Sequence, residues 1–257
     1  MEERITSKEN PTVKLYRKLS KKRKDRRENG MFVAEGLRIC TDAVNHGFVN
    51  VLMVTETAEN KYPEFVDSFD GNILRISDAV GELLSDTGTT QGVFAICKIP
   101  ENPSLDSFSD KSGKYLVLNG LQDPVNIGTI IRTADAVGMD GVIMCSCCDL
   151  YNPKVIRGTM GSVFRVKTAI CGYETAVEHF KSIGVITYAA VIDTDAVSLT
   201  ECDFSGGSAV VIGNEGNGLT DADAMMCDKK LTIKMHGNID SLNAAMAAGI
   251  IIWEMKR

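Results

Sequence analysis

KYLVLNGLQDPVNIGTIIRTADAVG, residues 114–138, reads as a strand, a turn and a helix in immediate succession. KYLVLNG is rich in Leu and β-favouring residues, as a strand inside a sheet requires. Pro124 marks the turn. Beyond it Ile127, Ile130, Ile131 and Ala134 recur on one side of a helix, and Gly138 follows its end. The same alternation continues downstream. GVIMC is a strand, YETAVEHFKSIG an amphipathic helix stopped by Gly184, and VITYAAVI, SAVVIGN and LTIKM are strands. SLNAAMAAGIIIWEM is a final helix, with Asp240 or Ser241 suited to cap it. Short apolar strands alternating with helices predict an α/β domain whose parallel sheet is covered on both faces. Ligands of such sheets sit beyond the carboxyl ends of the strands. That rule singles out residues 119–126, 213–218 and 235–241.

Upstream, PENPSLDSFSDKSGK (residues 100–114) carries two prolines, four serines and a glycine and lacks periodicity, so it reads as a linker. The expected organisation is a first domain over residues 1–100, a linker over 101–113 and a second domain over 114–257. The first begins with a basic helix near Val13–Arg27. The strands MFVAEG, VNVLMVT, GNILRIS and QGVFAICKI follow, with the helix LRICTDAVNHG between the first two, which predicts a smaller α/β domain.

The 257 residues are 44% hydrophobic and 24% charged, an ordinary globular composition. The longest uncharged apolar run near the end, Ala244 to Trp253, is half the roughly 20 residues a membrane helix needs. MEERITSKEN has no apolar core for a signal peptide, so a cytoplasmic protein is expected. The eight cysteines are then read as reduced thiols. Cys145 and Cys148 form a C-x-x-C, but no second pair or histidine lies at zinc-site spacing, and they read as small residues ending a buried strand. No metal is expected. The net charge of −6 is unevenly spread: residues 1–30 hold 11 Lys and Arg against 5 Asp and Glu, a balance of +6, leaving −12 for the rest. Such asymmetry points to a basic arm that meets a polyanion, built around Lys14, Arg17, Lys18, Lys21, Lys22, Arg23, Lys24, Arg26 and Arg27. A solvated helix face is the plainer alternative.

Three segments carry candidate chemistry. In NGLQDPVNIGTIIR (119–132) Asn126 lies at the helix start, and Arg132 is a cation in an otherwise apolar helix, expected on a buried side and therefore costly without a role. In VVIGNEGNGL (210–219) a strand runs into three glycines that permit close backbone approach to a ligand. Their spacing does not fit the dinucleotide-binding fingerprint, which disfavours a nucleotide-dependent oxidoreductase. Glu215 in that loop can hold hydroxyls or orient an arginine. In IKMHGNIDSLNAAMAA (233–248) a strand turns at Gly237 into a small-residue helix, with Ser241 and Asn243 in the first turn. His236 reads as a loop residue.

Together, N-x-G-x-x-x-R at 126–132, G-N-E-G-x-G-L at 213–219 and I-x-M-x-G-x-x-x-S-L-N at 233–243 resemble the SpoU/TrmH family of RNA 2′-O-ribose methyltransferases, in the SPOUT superfamily, in order and spacing. The likeness is strong over residues 114–257. It extends upstream through ITSKENPTVKLYRKL, FVAEG and TGTTQGV, which are similar to the family's RNA-recognition domain. Lys234 departs from the family's usual proline. The resemblance implies a parallel sheet with a deep trefoil knot, a homodimer whose site is completed across the interface, and S-adenosylmethionine as methyl donor. It implies that Gly213, Gly218, Ile233, Met235 and Leu242 hold the cofactor and that Arg132, with Asn126, Glu215, Ser241 and Asn243, serves the ribose 2′-OH. Lys14, Arg17, Lys21, Lys22 and Arg23 would grip RNA, with ribosomal RNA favoured by the extra N-terminal domain and transfer RNA as the alternative. A non-catalytic RNA-binding assembly factor would keep the fold and lose those reacting groups, which are all present here.

Overall fold

The structure, a computed structural model, describes residues 4–257. Residues 1–3, part of the segment read as lacking a signal peptide, lie outside the described residues. The chain forms two compact units. One comprises Met1–Glu101 with Tyr151–Phe164, the other Asn102–Leu150 with Arg165–Arg257.

The first unit holds a four-stranded sheet of β1 (Met31–Glu35), β2 (Val49–Thr55), β3 (Ile73–Ile76) and β4 (Val93–Lys98), in the order β1-β4-β2-β3. β4 runs antiparallel to both β1 and β2, while β2 and β3 are parallel. Side chains alternate between the faces, as the period of two requires. Val33, Val51, Met53, Phe94 and Ile96 pack against Val13, Tyr16 and Leu19 of the helix Pro11–Lys21. Phe32, Ala34, Leu52, Val54 and Ala95 pack against Ile39, Cys40 and Ala43 of the helix Leu37–Asn45. Ile156 and Phe164 join that second cluster. A linear boundary at residue 114 does not capture the segment Tyr151–Phe164, which returns to the first unit and carries the short helix Pro153–Thr159.

The basic helix is broken. Lys22 has extended geometry (φ −124°, ψ 126°) and separates Pro11–Lys21 from Arg23–Asn29. Arg26 does not belong to the solvent-facing arm. It is buried, and its Nη1 donates to the Leu19 carbonyl at 2.6 Å.

The second unit holds seven strands: β5 (Lys114–Asn119), β6 (Gly141–Cys145), β7 (Thr168–Ile170), β8 (Ile186–Ala190), β9 (Val197–Ser198), β10 (Ser208–Ile212) and β11 (Lys229–Thr232). Their order is β7-β6-β5-β10-β8-β11-β9 and every pairing is parallel. β6 and β10 are buried along their whole length, which explains why they read as unbroken apolar runs. On one face Tyr115, Val117, Ile143, Ala169 and Val211 meet Ala176, Val177 and Phe180 of the helix Tyr173–Ser182. The helix Pro124–Val137, which buries Ile127, Ile130, Ile131 and Ala134, packs against the final helix, Ala244–Lys256.

Three expectations change. Residues 102–113 are no loose linker: Asn102 exchanges hydrogen bonds of 2.9 and 2.8 Å with the Ile170 backbone, and Phe108 is fully buried in the sheet's core. LTIKM is strand only at its start. β11 runs from Lys229 to Thr232, and its ladder with β8 ends at Leu231↔Ala190, so Ile233–Met235 have no partner on that side. The last helix is capped by Asn243, not by Asp240 or Ser241: Asn243 Oδ1 accepts from Ala245 N at 2.9 Å and Met246 N at 3.3 Å.

Candidate active site

The carboxyl ends of β10, β8 and β11, three adjacent strands, open into a pocket of about 510 Å³. Its walls are the ends of these strands, the loop 213–219, and residues 240–242 before the final helix. Gly213, Gly218, Ile233, Met235 and Leu242 all line it, as do Glu215 and Ser241. The volume suits a nucleoside-sized ligand, and the lining combines apolar side chains with a few polar groups, as small-molecule sites do.

The loop 213–218 is closed by hydrogen bonds between Asn214 and Gly218 in both directions (3.1 and 2.9 Å). Gly218 has φ +66°, a left-handed conformation glycine tolerates without strain. At Gly213 an added Cβ would lie 2.3 Å from the Gly218 carbonyl carbon, so the turn closes only on glycine. Asn214 fastens the loop from inside, donating to the Gly120 carbonyl at 2.9 Å and accepting from Gly216 N at 2.9 Å.

A polar relay joins the three sequence segments. Glu215 accepts from the backbone N–H groups of Gln122 (3.1 Å) and Asp123 (2.9 Å) and from Asn126 Nδ2 (3.1 Å). Asn126, buried in the first turn of its helix, accepts through Oδ1 from Asn243 Nδ2 at 3.0 Å. Asn243 in turn caps the final helix. Partial burial pushes the Glu215 carboxyl up, but the backbone N–H groups of Asp123 and Gln122, with Asn126, outweigh it and hold the group below its ordinary value. Residues 119–126 therefore do not line the pocket. They buttress the loop that does.

Arg132 differs from expectation. It is exposed, off the buried stripe of its helix, and is not among the residues lining the pocket. Among the described residues it has no hydrogen-bond or ion-pair partner. In the first unit Lys21, Lys22 and Arg23 are exposed, Arg17 is half-buried, and Lys14 is held by Glu9 at 2.6 Å.

The end of β8 was missed. Asp193 and Lys230 form an ion pair of 2.9 Å on the pocket wall, and Asp221 and Asp240 also line it. The signal was available, since VITYAAVI is a strand and its carboxyl end had to reach the same edge of the sheet. Among the described residues no group of three or more His, Cys, Asp or Glu side chains is placed to hold a metal ion.

A parallel sheet with a glycine-closed loop at its carboxyl edge defines a small-molecule-binding α/β fold, and comparison with known proteins makes it specific. Residues 113–253 match the SpoU rRNA Methylase family, so the chain belongs to that family. Residues 10–95 match an MRM3-like substrate binding domain. The chain is 30% identical over 254 residues, 98% of each chain, to the 23S rRNA (guanosine(2553)-2′-O)-methyltransferase RlmP of Bacillus subtilis. Among solved structures, the AdoMet-bound rRNA methyltransferase of Sinorhizobium meliloti superposes with a TM-score of 0.88 at 30% identity, covering 98% of this chain and 97% of the other. The SpoU methyltransferase AviRb of Streptomyces viridochromogenes, in complex with the cofactor AdoMet, does so with 0.85 at 27% identity, covering 96% and 97%.

Proposed function

We propose that this chain transfers a methyl group from S-adenosylmethionine to a ribose 2′-OH of ribosomal RNA. The observation that carries the reading is the relay Glu215–Asn126–Asn243, which ties all three family segments to one wall of the pocket. The donor set fits the cofactor. Ile233, Leu242 and Ile251 offer apolar surface for a base, and Glu215, Asp193, Asp221 and Asp240 offer acceptors for hydroxyls and a cationic centre. The cofactor supplies an electrophilic methyl on a sulfonium. The protein's part is to hold the 2′-oxygen in line with it, which alone contributes ~7–11 kcal/mol, and to stabilise the oxygen as its proton leaves. Arg132 suits the second task as a fixed cation. It does not suit the role of base, because guanidinium keeps its proton.

The reading includes a homodimer. Val125, Thr129 and Arg132 form an exposed row on one helix, and Met246, Ile250 and Trp253 form an apolar row on the helix packed against it, with Trp253 65% exposed. A second copy covering these rows brings Arg132 of one chain to the pocket of the other. The family's trefoil knot belongs to the same reading. So does a cytoplasmic location, where ribosomal RNA is found; among the described residues no helix is long and apolar enough to cross a membrane.

The test incubates the protein with isotopically labelled S-adenosylmethionine and separated RNAs, then digests the RNA to nucleosides. Label in a 2′-O-methylnucleoside from ribosomal RNA is expected. Label in a methylated base, or only in transfer RNA, sinks the assignment. Mixing Arg132→Ala with the pocket variant Leu242→Trp, which fills the pocket and leaves the glycine loop intact, tests the shared site: statistical heterodimers keep one working site, restoring about a quarter of wild-type activity. No recovery on mixing refutes it.

A further inference from the structure

Five of the eight cysteines, Cys145, Cys147, Cys148, Cys171 and Cys227, gather near the carboxyl ends of β5 to β7, away from the pocket lining. The β6–β7 ladder pairs Ile143↔Ala169 and Met144↔Ile170, so its next step sets Cys145 against Cys171. Cys171 N donates to the Met144 carbonyl at 3.3 Å, which extends the ladder to that step, and both side chains pack on the same face of the sheet. Neighbouring strands lie about 4.7–4.9 Å apart, inside the Cα separation of about 4.4–6.8 Å that a disulfide spans. Cys145 is fully buried among Ile143, Ala169 and Val177, while Cys171 is half-buried and packs on that cluster from outside. Of the other three, Cys147 Sγ donates to the Leu118 carbonyl at 3.2 Å, Cys227 meets the Tyr173 hydroxyl at 3.6 Å, and Cys148 is tied by its backbone N–H to the Leu121 carbonyl at 2.8 Å.

We propose that Cys145 and Cys171 are a redox-active dithiol, a modification site that hydrogen peroxide closes to a disulfide. Cys171 is the attacking sulfur because it is the more accessible, and the neighbouring Cys145 thiol holds the Cys171 thiol below the ordinary value. The neighbouring Cys171 thiol and, after it, burial push Cys145 up, which suits a resolving thiol. The Cys171 thiolate displaces hydroxide from the peroxide, giving a sulfenic acid, and hydroxide takes up a proton to leave as water. The Cys145 thiol then attacks the sulfenic sulfur. The S–S bond forms, the S–OH bond breaks, and a second water leaves with the Cys145 proton. Both sulfurs are oxidised and one peroxide is reduced.

The bond has a route to the relay. Gly120 N donates to the Cys145 carbonyl at 2.8 Å, and Gln122 Nε2 donates to the carbonyl of Ser146 at 2.9 Å. Ser146 is held at φ +52°, an uncommon value for a non-glycine residue. Gln122 N is one of the donors that fix Glu215. Closing the disulfide shifts the turn at Ser146 and loosens that donor. This coupling rests on the cofactor reading above, whereas the disulfide does not.

The experiment treats the full chain with peroxide, blocks free thiols and maps the peptides by mass spectrometry. The expected product is a Cys145–Cys171 linked peptide lighter by two hydrogen atoms and reopened by dithiothreitol. Cys171→Ser keeps full methylation activity and forms no link. Cys171 carried on to sulfinic acid with Cys145 still free, or a link to Cys147, Cys148 or Cys227 instead, overturns the dithiol. Calorimetry on the oxidised chain is expected to show S-adenosylmethionine binding weakened roughly tenfold, about the value of one lost hydrogen bond. A mapped disulfide with unchanged affinity overturns the coupling.

Discussion

Two polar features of the second unit, the Glu215–Asn126–Asn243 relay and Arg132, treat hydrogen-bonding capacity in opposite ways. The relay is satisfied from within: backbone amides hold the carboxylate, one asparagine bridges, and the other both donates and caps a helix. Arg132 stands exposed one residue beyond the buried stripe, with five donors and no partner among the described residues. The contrast separates scaffold from reagent. A self-contained network fixes a shape, and a guanidinium free of its own chain is available to an acceptor that arrives from outside.

Substitutions can sharpen or break this division. The largest effect is expected from Arg132→Ala. Turnover should fall roughly 10²–10³-fold, the usual loss when one transition-state donor is removed. Denaturation and S-adenosylmethionine affinity measured by calorimetry should not change. A variant that unfolds more easily would place Arg132 with the scaffold. Next comes Asn243→Ala, which removes a helix cap and strands Asn126 Oδ1. A loss of about 1–2 kcal/mol in urea unfolding is expected. Asn243→Ser, which keeps a capping oxygen and loses the donor to Asn126, should recover about half of that. Glu215→Gln is expected to cost about 1 kcal/mol, at the low end because the carboxylate is partly open to water.

The smallest effect is a pH dependence. The Glu215 carboxyl is depressed in the folded state, so its contribution is complete above its ordinary value near 4.5 and disappears as pH falls through the lower folded value. The stability gap between wild type and Glu215→Gln, followed by thermal melts, should therefore be constant at neutral pH and close only below about pH 4.5. A gap that closed between pH 6 and 7 would tie the loop to some other group.

Much of this was readable in the residues. The unbroken apolar runs at 115–118, 141–145 and 208–212 read as strands covered on both sides, and the glycine-rich exit of the last marked the ligand edge. Short elements escaped because so few residues carry too little period: β7 has three, β9 two and the helix Pro153–Thr159 seven. The last helix start was ambiguous for a physical reason. Asp240, Ser241 and Asn243 are all good caps, and the choice fell to Asn243, whose Nδ2 also reaches Asn126. Arg132 was misjudged because the sequence IIRTA looks apolar throughout, yet Ile127, Ile130, Ile131 and Ala134 already define a face that excludes it. The strand end that carries Asp193 could be read, but not its pairing with Lys230, because the two are 37 residues apart and meet only once β11 lies beside β8.

The base of the loop at 213 sets a limit on redesign. A methyl group there would collide with main chain, which cannot rotate away as a side chain can. Positions 216 and 217, at the open tip and outside the relay, can be exchanged to retune what the pocket accepts. Position 213 tolerates no exchange at all. In a saturation library of this chain, viable clones should vary at the tip and carry a single residue type at the neck.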